Sequence, residues 1–98
     1  MLPLELMTAP QLAAAVAQRA RRLRLDRNLT QQELAERAGM SLSSLRRFER
    51  TGEIAFLSLV RIAMALDASE GMAALFPEQV RTLDDVLDRP QRQRGRRS

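Results

Sequence analysis

Cysteine, histidine, lysine, tryptophan and tyrosine are all missing from the 98 residues. Without cysteine or histidine there is no disulfide, no thiolate nucleophile, no imidazole base and none of the usual zinc ligand sets. Most enzyme classes go with them. No histidine or lysine can activate a serine, the carboxylates are scattered along the chain, and the four glycines are isolated rather than gathered into a phosphate-cradling loop. The expectation is a protein with no catalytic activity, no cofactor and no metal. Aromatics are scarce, three Phe in all, and the remaining apolar content is mostly Leu, Ala, Val, Ile and Met, which favours helices over sheets. No apolar run is long enough to span a bilayer, and the start lacks the charged region and long apolar run of a signal peptide. A cytoplasmic location with no membrane partner is expected.

What is present is 45% apolar and 29% charged residues, the balance of a soluble globular chain, at a length that suits one small core but not two. All sixteen basic residues are Arg. That bias has two readings: the base composition of a genome, or a need for the side chain better suited to bidentate contact with phosphates and guanine edges. The net charge of +4 is unevenly placed. Met1 to Asp88 carries eleven Arg against twelve acids, whereas Arg89 to Ser98 carries five Arg and no acid.

Along the chain, Met1 to Met7 is punctuated by Pro3 and reads as frayed or as an extended arm. Thr8 with Gln11 has the spacing of a capping box, with Pro10 tolerated in the first turn, so a helix is predicted to start there. Leu12, Val16, Ala20 and Leu23 recur at helical spacing and predict one buried face, with Gln18, Arg19, Arg21 and Arg22 largely outside it and Asn28 as a left-handed stop. Thr30 and Glu33 form a second capping box ahead of a short helix carrying Leu34, Ala35 and Ala38. Gly39 closes that helix, since glycine takes the positive φ that a sharp reversal demands.

Ser41 can then cap a third helix, about Leu42 to Arg50, with Leu45 and Phe48 inward and Ser43, Ser44, Arg46, Arg47 and Arg50 outward; Thr51 and Gly52 end it. Leu59, Ile62, Ala63 and Leu66 predict a fourth helix from Phe56 to Leu66. Ser69 is a candidate cap for a fifth, short helix containing Met72, Leu75 and Phe76 before Pro77 stops it. Thr82 with Asp85 predicts one more turn, carrying Leu83, Val86 and Leu87, before Pro90. There is no internal repeat and no strand alternation.

Two short helices joined by a tight glycine turn, the second presenting hydroxyls and guanidinium groups on its open face, have the geometry of a helix-turn-helix DNA reader. The residues themselves, LTQQELAERAG from Leu29 to Gly39 followed by MSLSSLRRFERTGE, closely resemble the Cro and CI repressor type, or XRE family, over about Leu23 to Leu66. The resemblance implies an all-α, compact five-helix lambda-repressor-like domain over residues 8–76, followed by a C-terminal segment with an Arg-rich tail over 77–98. It implies that Gln31 contacts backbone phosphate and braces the reading helix, that Leu42, Ser43 and Arg47 occupy base-reading positions, and that Ser44 and Arg46 flank them toward phosphate. It also implies a buried ion pair between Arg24 and Glu49. Several alternatives stay open. Ser41 and Arg50, at the two ends of the reading helix, complete the candidate DNA contacts, yet Ser41 and Ser43 are equally at home as helix-start residues; Leu42 can meet a thymine methyl or pack onto the turn; Arg46 and Arg47 can form an ordinary solvated face.

The phrases SLRRFERTGEIAF, ALFP and TLDDVLDRP, together with the Arg-rich end, resemble the narrower group of HipB-type antitoxins. That resemblance implies a homodimer that represses its own operon through double-stranded operator DNA and binds a HipA-like kinase; the alternative is a stand-alone or prophage repressor. The tail has three readings: a solubility extension, a nonspecific DNA arm, or a peptide that docks on an acidic partner. Leu57 falls outside the fourth apolar stripe, so a dimer or partner contact is expected to cover it together with Ile54 and Phe56. Met72, Leu75 and Phe76 are further candidates for such a contact, although core packing is the first expectation for Leu75 and Phe76.

Overall fold

Capping decides where the helices begin. In the computed structural model, which describes residues 3–78, the hydroxyl of Thr8 accepts from the Gln11 amide at 3.2 Å while Gln11 Oε1 accepts from the Thr8 amide at 2.9 Å, and α1 runs Ala9–Asp26. Thr30 and Glu33 repeat the arrangement at 3.0 and 2.8 Å to open α2, Gln31–Ala38. The Ser41 hydroxyl accepts from the Ser44 amide at 3.1 Å to open α3, Leu42–Thr51. Then come α4, Phe56–Ala65, and α5, Ser69–Ala73. The described part is all-α.

The ends of α1 to α4 follow two patterns. Asn28, Gly39 and Asp67 all lie in the left-handed region, at φ of 57°, 67° and 59°. At each, the next amide bonds five residues back (Leu29 to Arg24, Met40 to Ala35, Ala68 to Ala63) and the left-handed residue's own amide bonds three back. This double closure satisfies carbonyls that would otherwise be orphaned, and it throws Leu29, Met40 and Ala68 onto the core. Gly52, at φ 85°, instead closes α3 with a single bond to the Phe48 carbonyl at 2.7 Å.

The interior is built from Ala17, Leu29, Leu34, Ala35, Ala38, Leu45, Phe48, Ile62 and Leu66. Here α1 packs against α3, α2 against both α3 and α4, and α4 against α5. At Gly52 the backbones of α1 and α3 nearly touch: a Cβ there would lie 2.7 Å from the Ala13 carbonyl carbon and 2.9 Å from the Ala14 nitrogen. Only a glycine facing an alanine-rich stretch permits that approach.

Four expectations are corrected. Of the predicted inward face of α1, Ala20 and Leu23 pack against the core, but Leu12 is exposed, Val16 is only half-buried, and the deepest residues are Ala17 and Arg24. The Gly52 approach and a buried charge pair turn the helix onto its small-residue side. Ser69 is the first residue of α5 and makes no capping bond, because the cap position falls one residue earlier, on Ala68, which has no side-chain acceptor. That helix ends at Ala73, so Leu75 and Phe76 do not enter the core; they are 45% and 94% exposed. At the other end, Leu4–Leu6 forms a single 3-10 turn closed by the Leu6 amide on the Pro3 carbonyl at 3.0 Å, rather than a frayed or extended arm. The expected turn at Thr82 and the Arg-rich tail lie outside the described residues.

Candidate nucleic-acid interface

The orientation of α3 is fixed from behind. Leu45 and Phe48 are fully buried, and between them and the surface lies a closed polar network. Arg24 grips Glu49 with two bonds, Nε to Oε2 at 2.7 Å and Nη2 to Oε1 at 3.1 Å, and its Nη1 donates to the Leu29 carbonyl at 2.8 Å. Gln31 Nε2 adds a bond to Glu49 Oε1 at 2.9 Å. Both charged side chains are more than nine-tenths buried, and no buried side-chain polar atom among the described residues lacks a partner. A charge pair at this depth costs desolvation, which only full hydrogen bonding offsets. Its effect is to lock α1, the α1–α2 turn and the start of α2 to one side chain of α3.

Opposite that anchor, Ser43, Arg47 and Arg50 follow one another at i, i+4 and i+7 and form the outward strip of α3; all three are exposed. Arg46 flanks the strip on the α1 side, its Nε donating to Gln31 Oε1 at 3.4 Å. Gln31 thus joins the buried network to an exposed arginine, the bracing place expected of it. Ser44 flanks the strip on the α4 side. The two readings of the serines separate: Ser41 is the cap, also donating to Ser44 Oγ at 2.8 Å, while Ser43 stands one residue inside the helix with its hydroxyl 3.3 Å from that of Ser41. Leu42 is half-buried at the turn.

Two features escaped the sequence reading. Arg21 and Gln18, placed there on a solvated face of α1, join Gln31, Arg46 and Arg50 around a cleft of about 210 Å³ above Glu49. Only the crossing of α1 over α3 brings them there, and no periodicity within α1 signals it. The second is Glu53, beyond the end of α3, whose Oε1 accepts from Arg47 Nη2. Arg21, Arg46 and Arg50 form no ion pair with any described residue. The surface is therefore net positive, with one acid buried and paired behind it and one beside Arg47. Such a surface attracts polyanions, and its planar guanidinium donors suit phosphate oxygens and base edges alike.

No curated protein matches the chain. A family model described as Helix-turn-helix matches residues 21–71, just over half of its length, which takes in the last third of α1, all of α2, α3 and α4, and most of α5. Since that span holds the Thr30 cap, the Gly39 reversal, the buried Arg24–Glu49 tie and the exposed strip of α3, the chain belongs to the helix-turn-helix family of Cro/CI (XRE) type DNA-binding regulators.

Proposed function

We propose that this regulator is sequence-specific, placing α3 in the major groove of an operator. Ser43 and Arg47 read base edges there and Arg50 continues the same strip; Gln31, Ser44 and Arg46 hold phosphates on either side. Ser41 starts the helix with its cap, and Leu42 packs at the turn with its open edge toward the duplex. The observation that carries this reading is the exposure of Ser43, Arg47 and Arg50 on a helix whose opposite face is buried and tied down by Arg24 and Glu49. Arg47→Ala is the direct test. Because Arg47 is exposed, stability should stay within about 0.5 kcal/mol of wild type. Discrimination between preferred and unrelated duplexes should fall by about 1–3 kcal/mol. Equal weakening on both duplexes would assign Arg47 to phosphate instead.

The protein acts as a homodimer on two half-sites about one helical turn, or a multiple of it, apart. The exposed Phe56 and Leu57 at the start of α4 support a contact between copies. The narrower function we assign is that of a HipB-type antitoxin, repressing its own operon and holding a HipA-like kinase. It rests on the phrases SLRRFERTGEIAF, ALFP and TLDDVLDRP, and the exposed Leu75 and Phe76 of ALFP supply apolar surface for such a partner. The other reading is a stand-alone repressor. Co-expression with the kinase-like product of a neighbouring gene separates them: an antitoxin carrying Arg47→Ala loses repression and still co-purifies with the kinase, whereas a stand-alone repressor captures none.

A further inference from the structure

Glu53 borders the reading strip, and its position is set by the backbone rather than by its own side chain. The Thr51 hydroxyl donates to the Arg47 carbonyl at 2.8 Å and accepts from the Glu53 amide at 3.1 Å. Between them Gly52, at φ 85°, turns the chain back along α3. This brace delivers the Glu53 carboxylate to Arg47 Nη2. Both side chains are 63% exposed, so the pair adds little to folding stability and holds the guanidinium without burying it. Of its five N–H groups, the bond to Glu53 uses one.

An arginine facing DNA has two competing acceptors. Phosphate oxygens are everywhere along the duplex and carry no sequence information. Guanine O6 and N7 require a planar fork in one orientation. A neighbouring carboxylate shifts that competition in two ways: it repels phosphate and already neutralises the arginine charge that phosphate would attract, and it fixes the plane of the fork. Arg21, Arg46 and Arg50 have no such carboxylate among the described residues. We infer that Glu53 is a positioning residue for specificity, withholding Arg47 from phosphate and presenting it to a guanine edge. This rests on the reading of α3 as the DNA-contacting helix.

The test uses the full chain and a duplex library randomised over about two helical turns. The recovered consensus duplex and a scrambled duplex of equal composition then serve as probes at one salt concentration. Glu53→Gln is expected to keep the wild-type melting temperature, to bind the scrambled duplex more tightly, and to lower the consensus-to-scrambled ratio about tenfold. In an Arg47→Ala background the same change should leave the ratio where Arg47→Ala alone puts it. Thr51→Val keeps the charge and removes the brace, so the ratio should fall without tighter scrambled binding; it also serves if Glu53→Gln folds poorly. An unchanged ratio in both single variants, or an equal fall with and without Arg47, overturns the inference. Failure of the wild-type chain to enrich any duplex overturns the DNA reading itself, and that outcome is visible before any variant is made.

Discussion

Arg24 and Glu49 show how one residue pair can matter to DNA binding without touching DNA. Glu49→Ala strands a buried guanidinium and should lower the free energy of unfolding by about 3–5 kcal/mol, read from the midpoint and slope of urea denaturation. Its loss of DNA binding would then follow the loss of folded protein, and a wild-type midpoint would show that the pair does not anchor α3. Gly52 is constrained twice, by φ of 85° and by the Ala13 and Ala14 backbone under 3 Å from any added Cβ. Gly52→Ala is therefore expected to cost more than the roughly 1–2 kcal/mol of a left-handed L-residue, whereas Gly39→Ala, with open space around it, should cost about that amount and no more. Equal thermal shifts for the two variants would contradict the close approach of α1 to α3.

Among the elements, α2 is the shortest of the DNA-reading pair and depends most on its cap. Thr30→Ala should destabilise by about 1 kcal/mol in chemical denaturation. The same cap makes α2 sensitive to acid. The Thr30 amide, and then its hydroxyl, hold the Glu33 carboxyl below its ordinary value of 4.5, with Arg37 adding to the effect. A depressed folded value means the contribution is fully present above 4.5 and lost as pH falls through the lower, folded value. In an NMR titration the Glu33 midpoint should lie below 4.5 and move part of the way back in Thr30→Val, where the backbone bond survives. A wild-type midpoint at 4.5 would remove the box as a source of pH dependence. The elements also show where pattern reading stops. Thr8, Thr30, Ser41, Asn28 and Gly39 announce their turns locally because the chemistry of a cap lies within five residues. The face of α1 does not, since Ala13, Ala17, Ala20 and Arg24 are spaced as regularly as Leu12, Val16, Ala20 and Leu23 and carry less hydrophobic weight.

For the molecule as a whole, the exposed Phe56 and Leu57 bear on assembly. Replacing both with serine should leave the single chain folded, as read by circular dichroism, because neither is buried within it, yet shift the sedimentation equilibrium from dimer to monomer, remove the concentration dependence of the melting temperature and weaken operator binding. A wild-type chain that is monomeric at the same concentration, or a variant that still dimerises, would place the contact elsewhere. The Arg-rich end is tested by salt. Should its five arginines neutralise phosphates, deleting residues 89–98 will reduce the slope of log affinity against log salt by about 4–5 units; an unchanged slope eliminates the DNA-arm reading.

The amino-acid order alone determined the helical class, the helix starts and most of their ends, the reader geometry of α2 and α3, and the pairing of Arg24 with Glu49 through family likeness. These are short-range matters of capping, periodicity and composition, or a motif compact enough to recognise. Which side of α1 faces inward, where Leu75 and Phe76 end up, and that Arg21 and Glu53 border the reading strip were decided by the tertiary structure. The face of α1 and the place of Arg21 depend on how closely backbones far apart in sequence approach, which no local pattern encodes; Leu75, Phe76 and Glu53 depend on where a helix stops and its turn sends the chain, which neither periodicity nor composition signals.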